Sequence, residues 1–376
     1  MRVLELRALN RALLARQGLL ERRDEPVVDV VERIGAIQAQ YWPAVAVALW
    51  ARARGFQADD LYRALEARQL VMGTLLRSTL HVVSARQHPH YAAVVRDSGT
   101  ASWGRTDAEP PPEIDLLRAE LVAHAASPRT AEELRAFVEA WIERHRPPLA
   151  EAELAFQRGY RWRPLIASCG LVRAPAGGRW DGARPPAASM APPEPASAST
   201  QEALDAVVGC HLRAFGPAAA DDVAGWIGWR TPPVRAALER LGPNLLRFED
   251  ESGRPLYDLP DAPRPDPDVP APVRLLPWFD SVLLAYAPRH RARILPDPYR
   301  DRVYVRANLQ WLPTFLVDGL VAGTWAIDAA GREAALALRP FTPLKRPVKT
   351  ELVQEAERLI RFLRPTAAAH RVTVDV

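Results

Sequence analysis

The chain has 376 residues, 48% of them hydrophobic and 25% charged, with a formal net charge of +4. That length exceeds one ordinary domain and suggests roughly two to four units. No apolar run reaches the ~18–20 residues that a bilayer span requires, and MRVLELRALNRALLARQG carries arginines throughout, so neither a membrane anchor nor a signal peptide is expected.

Cysteine is restricted to Cys169 and Cys210, far apart and without metal-ligand spacing. The expectation is a reduced, cytoplasmic protein with no disulfide framework, no metal and no cofactor. Lysine occurs only at Lys345 and Lys349, so nearly every cation is arginine. A GC-rich genome would produce the same bias. Whatever its origin, arginine binds phosphates bidentately and stacks on bases.

Helical spacing of apolar residues runs through 4–16 and 27–38, and Pro43 suits the first turn of a helix reaching Arg54. A capped helix follows over about 58–68, then LVMGTLLR and TLHVVS as a hairpin around Arg77–Ser78. Helices closed by a hairpin are the order of a winged helix. In SPRTAEELRAFVEAWIE, Thr130 and Glu133 make a capping box, and the chain continues as helix, strand, Gly177-Gly178 turn and strand. A third repeat has helices at 219–227 and 233–241 around a turn, then strand, Ser-Gly turn and strand, which fits a helix-turn-helix with a wing.

Two Pro-rich connectors, 183–200 and 260–272, punctuate the chain. Beyond them lie short apolar runs divided by turn residues, which argue a small barrel or sandwich. The amphipathic helix VKTELVQEAERLIRFLR and a last strand, HRVTVDV, close the chain. The reading is therefore an α+β protein of three tandem winged-helix units, 1–98, 99–195 and 196–262, followed by a small C-terminal β-barrel with a terminal helix over 270–376.

Winged helices most often contact nucleic acid, though some are protein-interaction modules. YAPRHRARILPDPYRDRVYVR sets Arg289, His290, Arg291, Arg293, Arg300, Arg302 and Arg306 among tyrosines. Such a run could grip phosphate and stack on bases, or form a solvated rim. Arg77 and His81 on the first hairpin could reach phosphate or a pocket, although a lone strand histidine is more often structural. Asp280, the carboxylate inside LLPWFDSVLL, is either a buried anchor or a polar group near a pocket, and Asp318 precedes Gly319 as a turn residue.

The segment GAIQAQYWP, 35–43, places two amides at the end of a core helix. On an α-helix, positions i and i+2 lie about 200° apart, and Pro43 should push Trp42 toward extended geometry. The helix is therefore expected to end near Gln38 or Gln40, so that both amides converge. They could simply cap backbone groups. An amide pair that does not titrate could instead hold a water molecule or hydrogen-bond a displaced base. That suffices where the leaving group is already activated, as in an N7-alkylated guanine. Trp42 could stack on such a base or belong to the core.

VVERIGAIQAQYWPAVAVALWAR, LLRSTLHVVSARQH, LLPWFDSVLLAY and LQWLPTFLVDGLVAGTW together resemble the AlkZ/YcaQ family of winged-helix DNA glycosylases, over essentially the whole chain. The family's Gln-Φ-Gln motif corresponds to Gln38-Ala39-Gln40. The resemblance implies an enzyme acting on double-stranded DNA with alkylated guanine; three different winged helices in one chain suggest a clamp around DNA and hence a monomer, expected to be cytoplasmic and nucleoid-associated. It would excise bulky N7-alkylguanines, including those in interstrand crosslinks, in repair or in self-resistance to an alkylating natural product. Gln38 and Gln40 would orient the attacking water and stabilise the oxocarbenium sugar, and a hairpin around 289–306 would enter the DNA groove. Independently of the family, a lyase needs an amine nucleophile. Residues 1–344 carry no lysine, so, the chain terminus aside, a monofunctional glycosylase is expected. The alternative is a non-catalytic DNA-binding protein, a regulator or a damage binder.

Overall fold

The computed structural model describes residues 2–97, 111–175, 179–181, 186–194, 199–328 and 333–375. It is a mixed α and β structure that divides into two compact units. One comprises Met1–Phe56, His211–Val223 and Gly242–Val376, and the other Gln57–Cys210 and Ala224–Leu241.

In the first unit the helices Leu6–Arg16, Val27–Ile34 and Pro43–Arg52 precede a sheet formed far along the chain. Pro43 opens its helix as expected, since the missing N–H is one that a first turn leaves unpaired anyway. The sheet runs Arg274–Leu276, Thr314–Val317, Leu320–Asp328, Glu333–Pro340, Ala369–Val374. Its first pairings are antiparallel and the last is parallel. Parallel pairing needs a long crossover, supplied by the helix Arg346–Leu363. That helix buries Leu352, Leu359 and Ile360 against Leu275, Phe315, Trp325, Leu336 and Leu338.

Among the described residues this sheet is open rather than a closed barrel, with Arg274–Leu276 and Ala369–Val374 as its edges. Several runs expected as barrel strands are helical turns. Asp280 caps Ser281–Leu284 by accepting from Val282 N at 3.1 Å. Prolines at 288, 296 and 298 begin or interrupt the turns Pro288–Arg293 and Asp297–Tyr299. Too few strands remain to close, and the terminal helix covers one face instead.

In the second unit Leu70–Thr74 and Leu80–Ser84 form the expected hairpin, with Arg77 and Ser78 both in left-handed backbone. Val172–Ala174 joins at Gly73 and pairs onward with Ala188–Met190, which pairs with Arg129–Thr130. The capping box is present, with Glu133 N donating to Thr130 Oγ1 at 3.2 Å and Thr130 N to Glu133 Oε2 at 2.7 Å. Its helix buries Leu134, Val138 and Trp141 against Leu117, Trp162 and Leu165. The Gly177-Gly178 turn and parts of the 183–200 connector lie outside the described residues. Ala188–Met190, a proline-free stretch of that connector, is a strand where none was expected.

Three imidazoles are buried and held neutral. Burial, reinforced by the charge of Arg77, pushes His81 down to about 3, and burial pushes His88 and His211 down to about 4. Below an ordinary pKa near 6.5 the unfolded chain takes up protons that the folded chain refuses. Stability is therefore complete above that pH and falls as pH drops toward 4, by up to about 1.4 kcal/mol per pH unit for each imidazole. Urea unfolding between pH 7 and 4.5 should show this slope, and His88→Leu should remove one imidazole's share. A flat profile, or no change in His88→Leu, would contradict the assignment.

Candidate active site

The helix Val27–Ile34 ends earlier than its apolar spacing suggests, because Gly35 adopts φ 81° and ψ −178°. That combination is essentially reserved for glycine. A Cβ there would also meet Phe215 Cε2 at 3.2 Å and Ala214 Cβ at 3.3 Å. The chain then runs extended through Ile37–Gln38 before bending at Gln40 and Tyr41. Gln38 closes this short strand and Gln40 lies in the bend that follows it, so neither amide is on the preceding helix. Gln38 is 7% exposed, whereas Gln40 faces solvent.

Trp42 is helical, φ −52° and ψ −46°, rather than extended as expected. Its carbonyl already accepts from Val45 N at 3.2 Å and Tyr41's from Ala44 N at 3.0 Å, so the first turn of the next helix overrides the preference imposed by proline. Trp42 is only 6% exposed, while its neighbour Tyr41 is 41% exposed.

A buried polar network fixes this segment. Gln17 Nε2 donates to Ile34 O and to Ala214 O, both at 2.9 Å. Arg52 donates through Nε to Gln17 Oε1 at 3.2 Å and through Nη1 to Ala48 O at 3.1 Å. It grips Asp280 bidentately at 2.9 and 2.7 Å. Ser281 Oγ donates to Ala36 O at 3.0 Å, two residues before Gln38. Asp280 is therefore an anchor. Phe279 beside it sits in left-handed backbone at φ 55°, a strain of about 1–3 kcal/mol that only surrounding contacts sustain.

The other candidates separate. His81 is 1% exposed and its Nδ1 donates to Thr79 O at 3.0 Å, so it offers a hydrogen-bonding ring rather than a charge. The half-buried Arg77 guanidinium donates to Trp226 O. In the arginine run, Arg293 is buried, donating to Pro217 O at 2.8 Å with its guanidinium 4.1 Å over Tyr286. Arg291 lies 4.9 Å over Trp311, and burial, aided by Arg300, lowers its pKa to about 10. Arg289 pairs with Asp221 at 2.7 Å and donates to His290 Nε2 at 2.8 Å. Burial holds His290 below the usual imidazole range. Arg302 is exposed, 4.1 Å over Phe341.

The hairpin expected around 289–306 lies further on. Tyr304–Val305 pairs with Gln310–Trp311, and the preceding stretch is made of helical turns. At its tip Leu309 has φ 56° and is 67% exposed. Among the described residues no group of His, Cys, Asp and Glu could hold a metal ion, and no helix is long and apolar enough to cross a membrane.

Removing Asp280 strands a buried guanidinium. Asp280→Ala should cost about 3–5 kcal/mol, read as a lower urea midpoint at unchanged m-value. A loss below about 1 kcal/mol would mean that the pair does not anchor the loop.

The family description "DNA glycosylase AlkZ-like" matches residues 31–362. The fold is similar to that of the Streptomyces sahachiroi DNA glycosylase AlkZ, with a TM-score of 0.74 and 22% sequence identity over 100% of both chains. No curated protein matches significantly. With the match running from the helix before the two glutamines almost to the end of the terminal helix, the chain belongs to the AlkZ-like DNA glycosylase family.

Proposed function

We propose that this DNA glycosylase hydrolyses the N-glycosidic bond of bulky N7-alkylguanines in double-stranded DNA, monoadducts and interstrand crosslinks alike, using Gln38 and Gln40. The observation that supports the reading is that Gly35 ends the helix and Ser281 holds Ala36 O, so that Gln38 closes a short tethered strand and Gln40 lies exposed in the bend after it. Neither amide can act as a strong acid or base, so the reaction they serve must begin from an activated bond.

N7-alkylation supplies that activation by placing a positive charge on the purine. As the C1′–N9 bond breaks, its electron pair moves onto N9 and neutralises the base, while positive charge develops on the sugar. The amide oxygens face that charge and accept hydrogen bonds from the attacking water. Its oxygen bonds to C1′, and its proton passes to bulk solvent. Positioning and electrostatic stabilisation of this kind need no covalent intermediate. The absence of lysine from residues 1–344 leaves the winged-helix portion without a side-chain amine for lyase chemistry, so the product is an intact abasic site.

Three winged-helix units, by the helix and hairpin order along the chain, carry the DNA contacts in this reading, with the protein acting as a monomer on cytoplasmic DNA. Arg289, Arg302 and Arg306 are the exposed cations of the arginine run, suited to phosphate. Arg77, His81, His290, Arg291 and Arg293 serve mainly to shape the elements that meet the backbone. Leu309 at the hairpin tip is the apolar group placed to enter a groove.

The test is a duplex with one 7-methylguanine, incubated with enzyme and then treated with alkali. Strand breaks should appear only after alkali. Gln38→Ala and Gln40→Ala should each slow single-turnover release by about 10²-fold or more. Undiminished release in both variants would return the amides to a structural role. Breaks without alkali would overturn the monofunctional assignment.

A further inference from the structure

Beside the buried Trp42, Tyr41 carries an aromatic ring out to solvent. Its ring centroid lies 4.8 Å from that of Trp278, tilted by 58°. Trp278 lies 5.1 Å from Trp325, nearly edge-on at 68°. Trp325 is buried, and its Nε1 donates to Leu276 O at 2.9 Å. The rings therefore form a series from the core to the surface, with Tyr41 outermost.

A lone exposed tyrosine would require no explanation. This one directly follows Gln40, and its carbonyl is bound into the first turn of the next helix. Its backing ring, Trp278, belongs to the loop in which Phe279 is strained and Asp280 is clamped by Arg52. Strained backbone fixed by a buried ion pair is an arrangement that persists where a surface must be held in place.

We propose that Tyr41, backed by Trp278, is the stacking surface for the alkylated purine; the inference rests on the N7-alkylguanine reading above. A purine alkylated at N7 is a flat cation. It gains from an aromatic face both by stacking and by attraction between its charge and the ring's electrons. An unmodified guanine gains only the first, so the platform selects for damage. Once the glycosidic bond breaks the base is neutral, the attraction weakens, and the product is easier to release. Because the charge on the base is greatest before the bond breaks, Tyr41 contributes to substrate binding more than to the chemical step.

The experiment uses the full chain and two duplexes. One carries 7-methylguanine on a 2′-fluoro sugar, which resists hydrolysis, and the other is its undamaged match. Affinities are read by fluorescence anisotropy, and kcat and KM are measured on the hydrolysable lesion. Tyr41→Ala should weaken lesion binding about tenfold more than undamaged binding, with KM rising and kcat changing less. Tyr41→Leu should recover only part of the lesion preference, and Tyr41→Phe, which keeps the ring, should restore it. If Tyr41→Ala melts early, the Leu and Phe pair gives the same contrast. A wild type that excises 7-methylguanine while Tyr41→Ala and Tyr41→Leu keep its full lesion preference would overturn the stacking role. A wild type that releases no base, yet prefers the lesion duplex through Tyr41, would uphold the stack and overturn excision instead.

Discussion

The buried ion pair between Arg52 and Asp280 is the contact on which the candidate site depends. Both side chains are out of solvent, and taking two ions out of water is costly unless every donor and acceptor finds a partner. Here the guanidinium meets Asp280, Gln17 and Ala48 O, and the carboxylate also caps the turn beginning at Ser281. Helix Pro43–Arg52 and the loop after Arg274–Leu276 are thereby joined at one point. Gln17 extends the connection to Ile34 O, and Ser281 extends it to Ala36 O. The segment bearing Gln38 and Gln40 is thus tied by its backbone on both sides of Gly35.

The same principle governs much of the arginine content. Arg11, Arg16, Arg52 and Arg293 are all buried. Arg16 grips Asp258 at 2.7 and 2.8 Å, Arg11 pairs with Asp318, and Arg293 donates to Pro217 O. Arginine suits such positions because its planar fork satisfies several acceptors at once. A count of basic residues therefore overstates the field that this protein presents to DNA. In the run from Arg289 to Arg306, pattern alone could not tell a cation packed on Tyr286 from one open to solvent.

What could be read from the chain was local. The Thr130–Glu133 capping box, the hairpin around Arg77–Ser78, the Pro43 helix start and the terminal helix follow from neighbouring residues, and all are present. What could not be read depended on distant partners. Whether short apolar runs close into a barrel depends on which strands find edges, and proline-rich stretches at 288–298 became helical turns. The lesson of Gln38 and Gln40 is sharper. Apolar periodicity continues through Ile37 and suggests a longer helix, whereas Gly35, in plain view, ends it. Asp280 was legible as an anchor, but its partner, 228 positions away in sequence, was not.

Gly35 also bears on how genetic data for this protein would be read. It touches no substrate in the proposed chemistry, yet its backbone conformation excludes every other residue type. In a saturation scan scored by survival under alkylation, position 35 would tolerate no substitution, because any side chain there displaces the strand that follows. Sensitivity to substitution there does not by itself mark participation in chemistry. Only a parallel measurement of how much folded protein each variant accumulates would separate a residue that shapes the strand from one that meets the DNA.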